Sequence, residues 1–378
     1  MAVRENLPDG VTWQNWQEHP ANRWAYHHID EVVTTAPVSR GDGPVLELTR
    51  GPELEVPGLD AYLQETYTDG LIVLRGTQVL LERYLNDMEP GSRHLLQSVS
   101  KSMCSALFSR YVERGVIDPS RPASAYVPEL AASAYGQATL QQTLDMTVAV
   151  VYDETYNDPT SDVYQHDCAG GWRPPMKDSP ADVAAFLAGL APTGEHGVTF
   201  QYCSANTDVL ALVLQTVTGR PVPQLLSEDL WAPMGAEFDA LVTVDGAGLA
   251  MMSGGMCVTL RDLARFGRLV ISGGVGAGGD QVIPRSWIDA VHAGGDRSVV
   301  TADITDFHPE GSYRNQFWVS GDEHGCIYCS GIYGQYIWMN PQTDVVIARL
   351  ATQLAASDDA VARRNQDFAD EVSVLAAG

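Results

Sequence analysis

Ser98-Val99-Ser100-Lys101 sets a hydroxyl three residues ahead of an amine. On an α-helix, positions three apart share a face, so the Lys101 amine can reach the Ser98 oxygen. Met103, Leu107, Tyr111 and Val112 follow at helical spacing and predict that Ser98 opens a helix facing a core. A serine hydroxyl becomes a useful nucleophile when a neighbour takes its proton. A lysine can do so where burial or nearby cations favour its neutral form. The helix N-terminus adds oriented backbone N–H groups where an oxyanion would form. The pattern is that of covalent hydrolysis with Ser98 as nucleophile and Lys101 as base. The alternative reading of the same residues is an N-capping serine followed by a solvated lysine.

The surrounding chain supplies elements that could hold such a pair. Gly70 to Tyr84 contains two apolar runs flanking Arg75-Gly76-Thr77-Gln78, which predicts a β-hairpin. Gly334–Asn340 and Asp344–Leu350 predict a second hairpin across Pro341-Gln342-Thr343, and a closing helix is expected from about Ser357 to Leu375. Between the hairpins, Thr139–Met146, Ala181–Leu190 and Asn206–Gly219 read as helices, Thr259–Leu269 as a capped amphipathic helix, and Tyr152–Pro175 as a long polar and aromatic loop. Residues 1–60, rich in Pro, Gly and Trp, read as an extended segment wrapping over a domain. The expected fold is α/β (α+β): an antiparallel sheet flanked by helices, with an inserted helical domain. Residues 1–100 and 251–378 would form the α/β domain, and residues 101–250 the mainly helical one.

With 378 residues and 45% hydrophobic content the chain can bury a real core. No apolar run is long enough to span a membrane. The opening Met1–Pro8 has no apolar stretch of a secretory signal, so a cytoplasmic location is expected. A formal net charge of −25, spread without blocks, argues against nucleic-acid and anionic-membrane partners and leaves a small-molecule substrate. Assembly as a homodimer is left open. Cys326-x-x-Cys329 is the one close cysteine pair, with no second pair to complete a zinc site and no thioredoxin-like setting. Gly274-x-Gly276-x-x-Gly279 matches a dinucleotide fingerprint by letter but follows a helix rather than a strand. No P-loop, Gly-x-Ser-x-Gly or His-Glu-x-x-His motif is present. Neither a metal nor a cofactor is expected.

The Ser98-x-x-Lys101 helix start, the hairpin before it and the helical insert after it resemble the serine β-lactamase and penicillin-binding superfamily. Tyr202-Cys203-Ser204 matches its second element, Tyr-x-Ser, and Ser330-Gly331-Ile332 precedes the closing hairpin where its inner strand belongs. The Lys-Thr-Gly usual on that strand is absent, which argues against penicillin hydrolysis. Within the superfamily the chain looks most like the nylon-oligomer (6-aminohexanoate-dimer) hydrolases. The shared stretches include Asn22-Arg23-Trp24-Ala25, His94-Leu95-Leu96, Tyr126-Val127-Pro128-Glu129-Leu130, Leu144-Asp145-Met146, Gly171-Trp172-Arg173 and Gln201 to Asp208.

This resemblance implies Ser98 acylated, Lys101 as base, Tyr202 as proton shuttle to the leaving amine, and the N–H groups of Ser98 and Ile332 as oxyanion donors. It implies Ser204 lining the site, with Tyr156 and Asp167 contacting substrate near its amine end. A carboxylate there would pair with an ammonium. Trp172 would wall the pocket. The chain departs from these relatives at Tyr333, where they carry His, at Ser253 before Gly254-Gly255, and at Val361-Ala362-Arg363. The expected activity is amide hydrolysis of 6-aminohexanoate linear dimer and similar amine-bearing amides, with carboxylesterase activity on short acyl esters. A carboxylesterase without useful amidase activity is the alternative. A penicillin-binding-like module that acylates slowly or not at all is a third.

Overall fold

Two β-branched and leucine-rich runs make the centre of the molecule. In the computed structural model, which describes residues 7–377, β3 (Thr68–Arg75) and β4 (Gln78–Tyr84) form the first predicted hairpin, with Gly76 at φ 61° in the turn. Leu71, Ile72, Val73 and Leu74 are all buried, so β3 is covered on both faces. The second hairpin is β11 (Gln335–Asn340) and β12 (Val345–Ala351); β12 pairs antiparallel with β3, Ile347 opposite Val73. β10 (Ile327–Gly331), β9 (Phe317–Val319) and β8 (Ser312–Arg314) extend the sheet on one side, and β2 (Thr49–Arg50) closes the other edge. The eight-stranded order is β2-β4-β3-β12-β11-β10-β9-β8. The expectation of an antiparallel sheet needs one correction. The short edge strand β2 enters alongside β4 and pairs with it in parallel.

Helices cover both faces. Leu260–Ile271, capped by Thr259 as expected, lies so close that a Cβ on Gly267 would be 2.6 Å from Val346 Cγ1. On the other face the closing helix Asp359–Ala377 and helix Leu59–Glu65 bury Phe368, Ala369, Val372 and Tyr62 against Leu71, Val73, Trp338 and Ile347. The larger core runs from the first face through helices Val99–Glu113 and Ser204–Thr218.

A second sheet has the order β1-β6-β7-β5: Thr35–Val38, Ala240–Thr243, Met256–Val258 and His94–Leu95. Its β1 comes from residues 1–60, which also carry helices Asn22–Ala25 and Ile29–Val32; the segment is therefore woven into the fold rather than only laid over it. The Tyr152–Pro175 stretch is likewise not all loop. Ser161 caps helix Asp162–Ala169, whose buried positions Val163, His166 and Ala169 include a histidine that hides the apolar spacing. The chain start read for a signal lies outside the described residues as far as Asn6. No helix among the described residues is long and apolar enough to cross a membrane.

Candidate active site

The backbone bends sharply to present Ser98. Gln97, just before it, sits at φ 48°, a left-handed conformation costly for a side-chain-bearing residue, and its amide is held by a 2.7 Å hydrogen bond to the Tyr26 hydroxyl. Ser98 then begins helix Val99–Glu113 without using its side chain as a cap. The Lys101 side chain is buried rather than solvated, and its Nζ lies 2.8 Å from Ser98 Oγ. The capping alternative is therefore not what the fold does with these two residues.

Lys101 Nζ has two further partners, the Ser253 carbonyl at 2.6 Å and Ser204 Oγ at 3.1 Å. Ser204 in turn donates its hydroxyl to Glu154 Oε1 at 2.5 Å and its backbone N–H to Glu154 Oε2 at 2.9 Å. The directions are consistent. The amine donates to Ser253 O and Ser204 Oγ, and its third contact is with Ser98 Oγ. Asp208 fixes this arrangement from behind: its carboxylate accepts from Ser253 N–H at 2.8 Å, and it faces His166 Nε2 at 3.0 Å.

Tyr202 completes the cluster. Its ring centroid is 5.1 Å from Lys101 Nζ, and it lines the cleft together with Ser98. Burial pushes the Tyr202 phenol above its ordinary value; the Lys101 charge opposes this and Glu154 reinforces it. The phenol thus keeps its proton near neutrality, as a proton donor must.

The inner strand β10 reaches Ser98 because its last residue has no side chain. A Cβ on Gly331 would lie 2.6 Å from Leu96 O and 3.0 Å from Ser98 N. Ile332, the next residue, lines the cleft with Ser98, Tyr202, Tyr156 and Trp318, around a volume of about 250 Å³.

The remaining expected residues are placed less simply. Tyr156 lines the cleft, but its hydroxyl donates to Glu154 Oε1 at 2.7 Å. Burial, then Glu154, pushes that phenol well up. Asp167 is already engaged: Gln17 Nε2 donates to it at 2.8 Å and Arg173 Nε at 3.3 Å. Burial raises the Asp167 carboxyl against the pull of Arg173 and Gln17. Trp172 is buried and is not among the residues lining the cleft, its indole N–H donating to Thr243 Oγ1 at 2.9 Å and its ring edge against Gly254. Tyr333 is buried at φ 60° and accepts from Asn157 Nδ2, whose own Oδ1 accepts from Arg173.

Glu154 was not anticipated from sequence. A single carboxylate in Tyr152-Asp153-Glu154-Thr155-Tyr156 carries no spacing signal; only its place two residues before Tyr156 points to it. A second unanticipated group is centred on β3. Asp69, fully buried, lies 3.3 Å from His94 Nε2, 3.7 Å from His27 Nε2 and 3.4 Å from Arg23 Nη1, and accepts from the Thr352 hydroxyl at 2.7 Å. Burial pushes its carboxyl upward, but hydrogen bonds to His27 and His94 outweigh it and hold the group well below the usual carboxylate range. Among the described residues this is the grouping with metal-ligand chemistry, and Arg23 supplies positive charge there. Cys326 and Cys329 are buried free thiols.

The Beta-lactamase family model matches residues 59–371. A 6-aminohexanoate-dimer hydrolase of Paenarthrobacter ureafaciens is 44% identical over 347 residues, 90% of this chain and 88% of that one. A Bacillus anthracis structure provisionally named a 6-aminohexanoate-dimer hydrolase superposes with a TM-score of 0.83 at 27% identity, covering 97% of this chain and 98% of the other. A family VIII carboxylesterase, at TM-score 0.59 and 15% identity over 85% of this chain and 99% of its own, shares the fold. With these likenesses added to the geometry around Ser98, the chain belongs to the Beta-lactamase family as a serine hydrolase homologous to 6-aminohexanoate-dimer hydrolase.

Proposed function

We propose that this enzyme hydrolyses the amide bond of small linear, amine-bearing amides, 6-aminohexanoate linear dimer among them, and short acyl esters, through an acyl-enzyme on Ser98. The observation that carries the reading is Lys101 Nζ, buried and 2.8 Å from Ser98 Oγ, with the Tyr202 ring centroid 5.1 Å from the same amine in the same cleft.

Each group has one task. Ser98 Oγ attacks the carbonyl carbon and its proton passes to the Lys101 lone pair. The N–H groups of Ser98 and Ile332 receive the oxyanion. The C–N bond breaks as Tyr202 gives its proton to the departing nitrogen, and Tyr202 is reprotonated from Lys101. Water then attacks the acyl-enzyme, giving its proton to the same relay, and Ser98 leaves as the hydroxyl. Ser204 and Glu154 hold the Lys101 lone pair toward Ser98. Asp167 is assigned to the substrate ammonium, and Tyr156 to the polar atoms of the reacting amide.

One observation favours a carboxylesterase without useful amidase activity. The Asp167 carboxylate already has Arg173 and Gln17, so an ammonium must share it with a cation. Purified enzyme with p-nitrophenyl acetate and with 6-aminohexanoate linear dimer, beside Ser98→Ala, separates the readings. Loss of both activities in the variant with both present in wild type supports the amidase. Ester cleavage alone supports the esterase, and no cleavage of either removes the proposal.

A further inference from the structure

The outward face of strands β9 to β11 carries an unusual run of flat rings. The register sets Tyr328 opposite both Trp318 and Trp338, and Ser330 opposite Tyr336. Their neighbours along the strands, Val319, Ile327, Cys329 and Ile337, are buried in the core, so the alternation sends the aromatic set to the other side. The rings lie nearly parallel in sequence: Tyr202 to Trp318 at 5.6 Å and 16°, Trp318 to Tyr328 at 5.9 Å and 11°, Tyr328 to Trp338 at 5.5 Å and 28°, and Trp338 to Tyr336 at 6.1 Å and 16°. A continuous aromatic wall therefore starts at the proton donor of the active site and runs away from it.

The closing helix does not cover this wall completely. Between it, the segment holding Phe307 and His308, and the sheet lies a cavity of about 190 Å³. Trp318, Tyr328 and Tyr336 are only half-buried because of it. The cavity opens into the Ser98 cleft, since Phe307, Trp318, Ser330, Gly334, Ala362 and Asn365 line both. The helix is tied to the Phe307–His308 segment: Arg363 lies over the Phe307 ring at 4.9 Å and donates to Asp306 O at 3.0 Å, and Gln366 Nε2 is 3.1 Å from His308 Nδ1.

The polar side chains in the lining are largely spoken for. Gln335 bonds the Ile332 and Ala351 carbonyls and the Ala351 N–H, and Asn365 accepts from the Tyr62 hydroxyl and from Arg349. What remains for a guest is mainly the flat aromatic surface of Trp318, Tyr328 and Tyr336, with the Asp303 carboxylate and the Ser330 hydroxyl in the same lining. The cavity is open on one side, and its volume of about 190 Å³ exceeds the ~150 Å³ that a benzene-sized ring fills; aromatic rings gain from offset or edge contacts beyond simple burial.

We propose that this cavity is an annex of the active site that takes an aromatic ring carried on the leaving amine of the substrate. The side follows from Tyr202: it delivers the proton to the departing nitrogen, and Trp318, stacked on it, forms the doorway. This assignment of side rests on the amide-hydrolysis reading above; the existence of the ring site does not.

The test compares 6-aminohexanoyl amides of 2-phenylethylamine, hexylamine and methylamine, in wild type and in Gln366→Trp, which fills the annex from the helix. Wild type should favour the phenylethylamide over the hexylamide by about two- to tenfold in kcat/KM. Gln366→Trp should bring that ratio near one while leaving methylamide hydrolysis unchanged. A wild-type ratio near one, or one that survives Gln366→Trp, overturns the proposal. Calorimetry of 2-phenylethylamine binding to Ser98→Ala protein, with and without Gln366→Trp, needs no turnover. Binding that the tryptophan abolishes supports the annex even where no amide is cleaved, and then only the hydrolytic reading fails. Binding that is absent, or unchanged by the tryptophan, overturns the annex.

Discussion

Ser204 stands between Lys101 and Glu154, accepting from the amine at 3.1 Å and donating to the carboxylate at 2.5 Å. It links a carboxylate on the Tyr152–Tyr156 loop to the Lys101 amine, which in the proposed reaction it holds toward Ser98. Glu154→Gln keeps the shape and removes the charge. It should lower kcat by about 10- to 100-fold, the range of ~1.5–3 kcal/mol for a charge-assisted hydrogen bond. Because Glu154 acts through Ser204, KM for a short ester should change little and the pH profile of kcat should shift. A KM effect alone would place Glu154 in substrate binding instead.

Tyr202 is asked to protonate a leaving group, and amides need this more than esters do. Tyr202→Phe should cost amide hydrolysis about 10²- to 10⁴-fold, the usual range for a positioned general acid, and ester hydrolysis much less. The sign of its pH dependence follows from its raised value. Burial keeps the phenol protonated past the ordinary tyrosine value of 10, so Tyr202 should impose no loss of amide kcat between pH 7 and 9. Equal losses on amide and ester in the variant would contradict the role.

Asp167 tests the amine end. Asp167→Ala should lower kcat/KM for 6-aminohexanoate linear dimer by about 10- to 100-fold if the carboxylate binds the ammonium, and leave p-nitrophenyl acetate untouched. Unchanged dimer hydrolysis would mean that Asp167 serves only Arg173 and Gln17.

Much of this arrangement was legible before any coordinates. The two hairpins announced themselves through paired apolar runs broken by short turns. The Ser98 helix did so through Met103, Leu107 and Tyr111. Helix-forming stretches with caps, such as Thr139 with Gln142, kept their expected places because the cap chemistry is local. What stayed hidden depends on contacts distant in sequence. Asp69 and His94 meet only when β3 and β5 are assembled, and Glu154 reaches Ser204 across fifty residues. The aromatic wall could not be read because Trp318, Tyr328 and Tyr336 belong to three strands whose register sequence spacing does not fix. The Asp162–Ala169 helix was masked by polar residues on its buried side.

The Asp69 cluster predicts a stability effect near the nucleophile. Its carboxylate is held below the ordinary value of 3.8, so it stabilises the fold fully above that pH and progressively less as pH falls below it. Asp69→Asn takes the buried negative charge from the Arg23 guanidinium and weakens the hydrogen bonds to His27 and His94, and should destabilise by about 3–5 kcal/mol at pH 7. Denaturant unfolding of both proteins from pH 7 to pH 3 checks this: the gap should narrow at the acid end. A gap that is absent at pH 7 would show that the cluster contributes nothing net.

The acyl-enzyme is the central claim, and intact-mass spectrometry reads it directly. Wild type mixed with a p-nitrophenyl ester and quenched at acid pH within the first turnover should gain one acyl group, located by peptide mapping on Ser98, while Ser98→Ala gains none. An acyl group found on another residue, or turnover by the Ser98→Ala protein at the wild-type rate, would contradict the account.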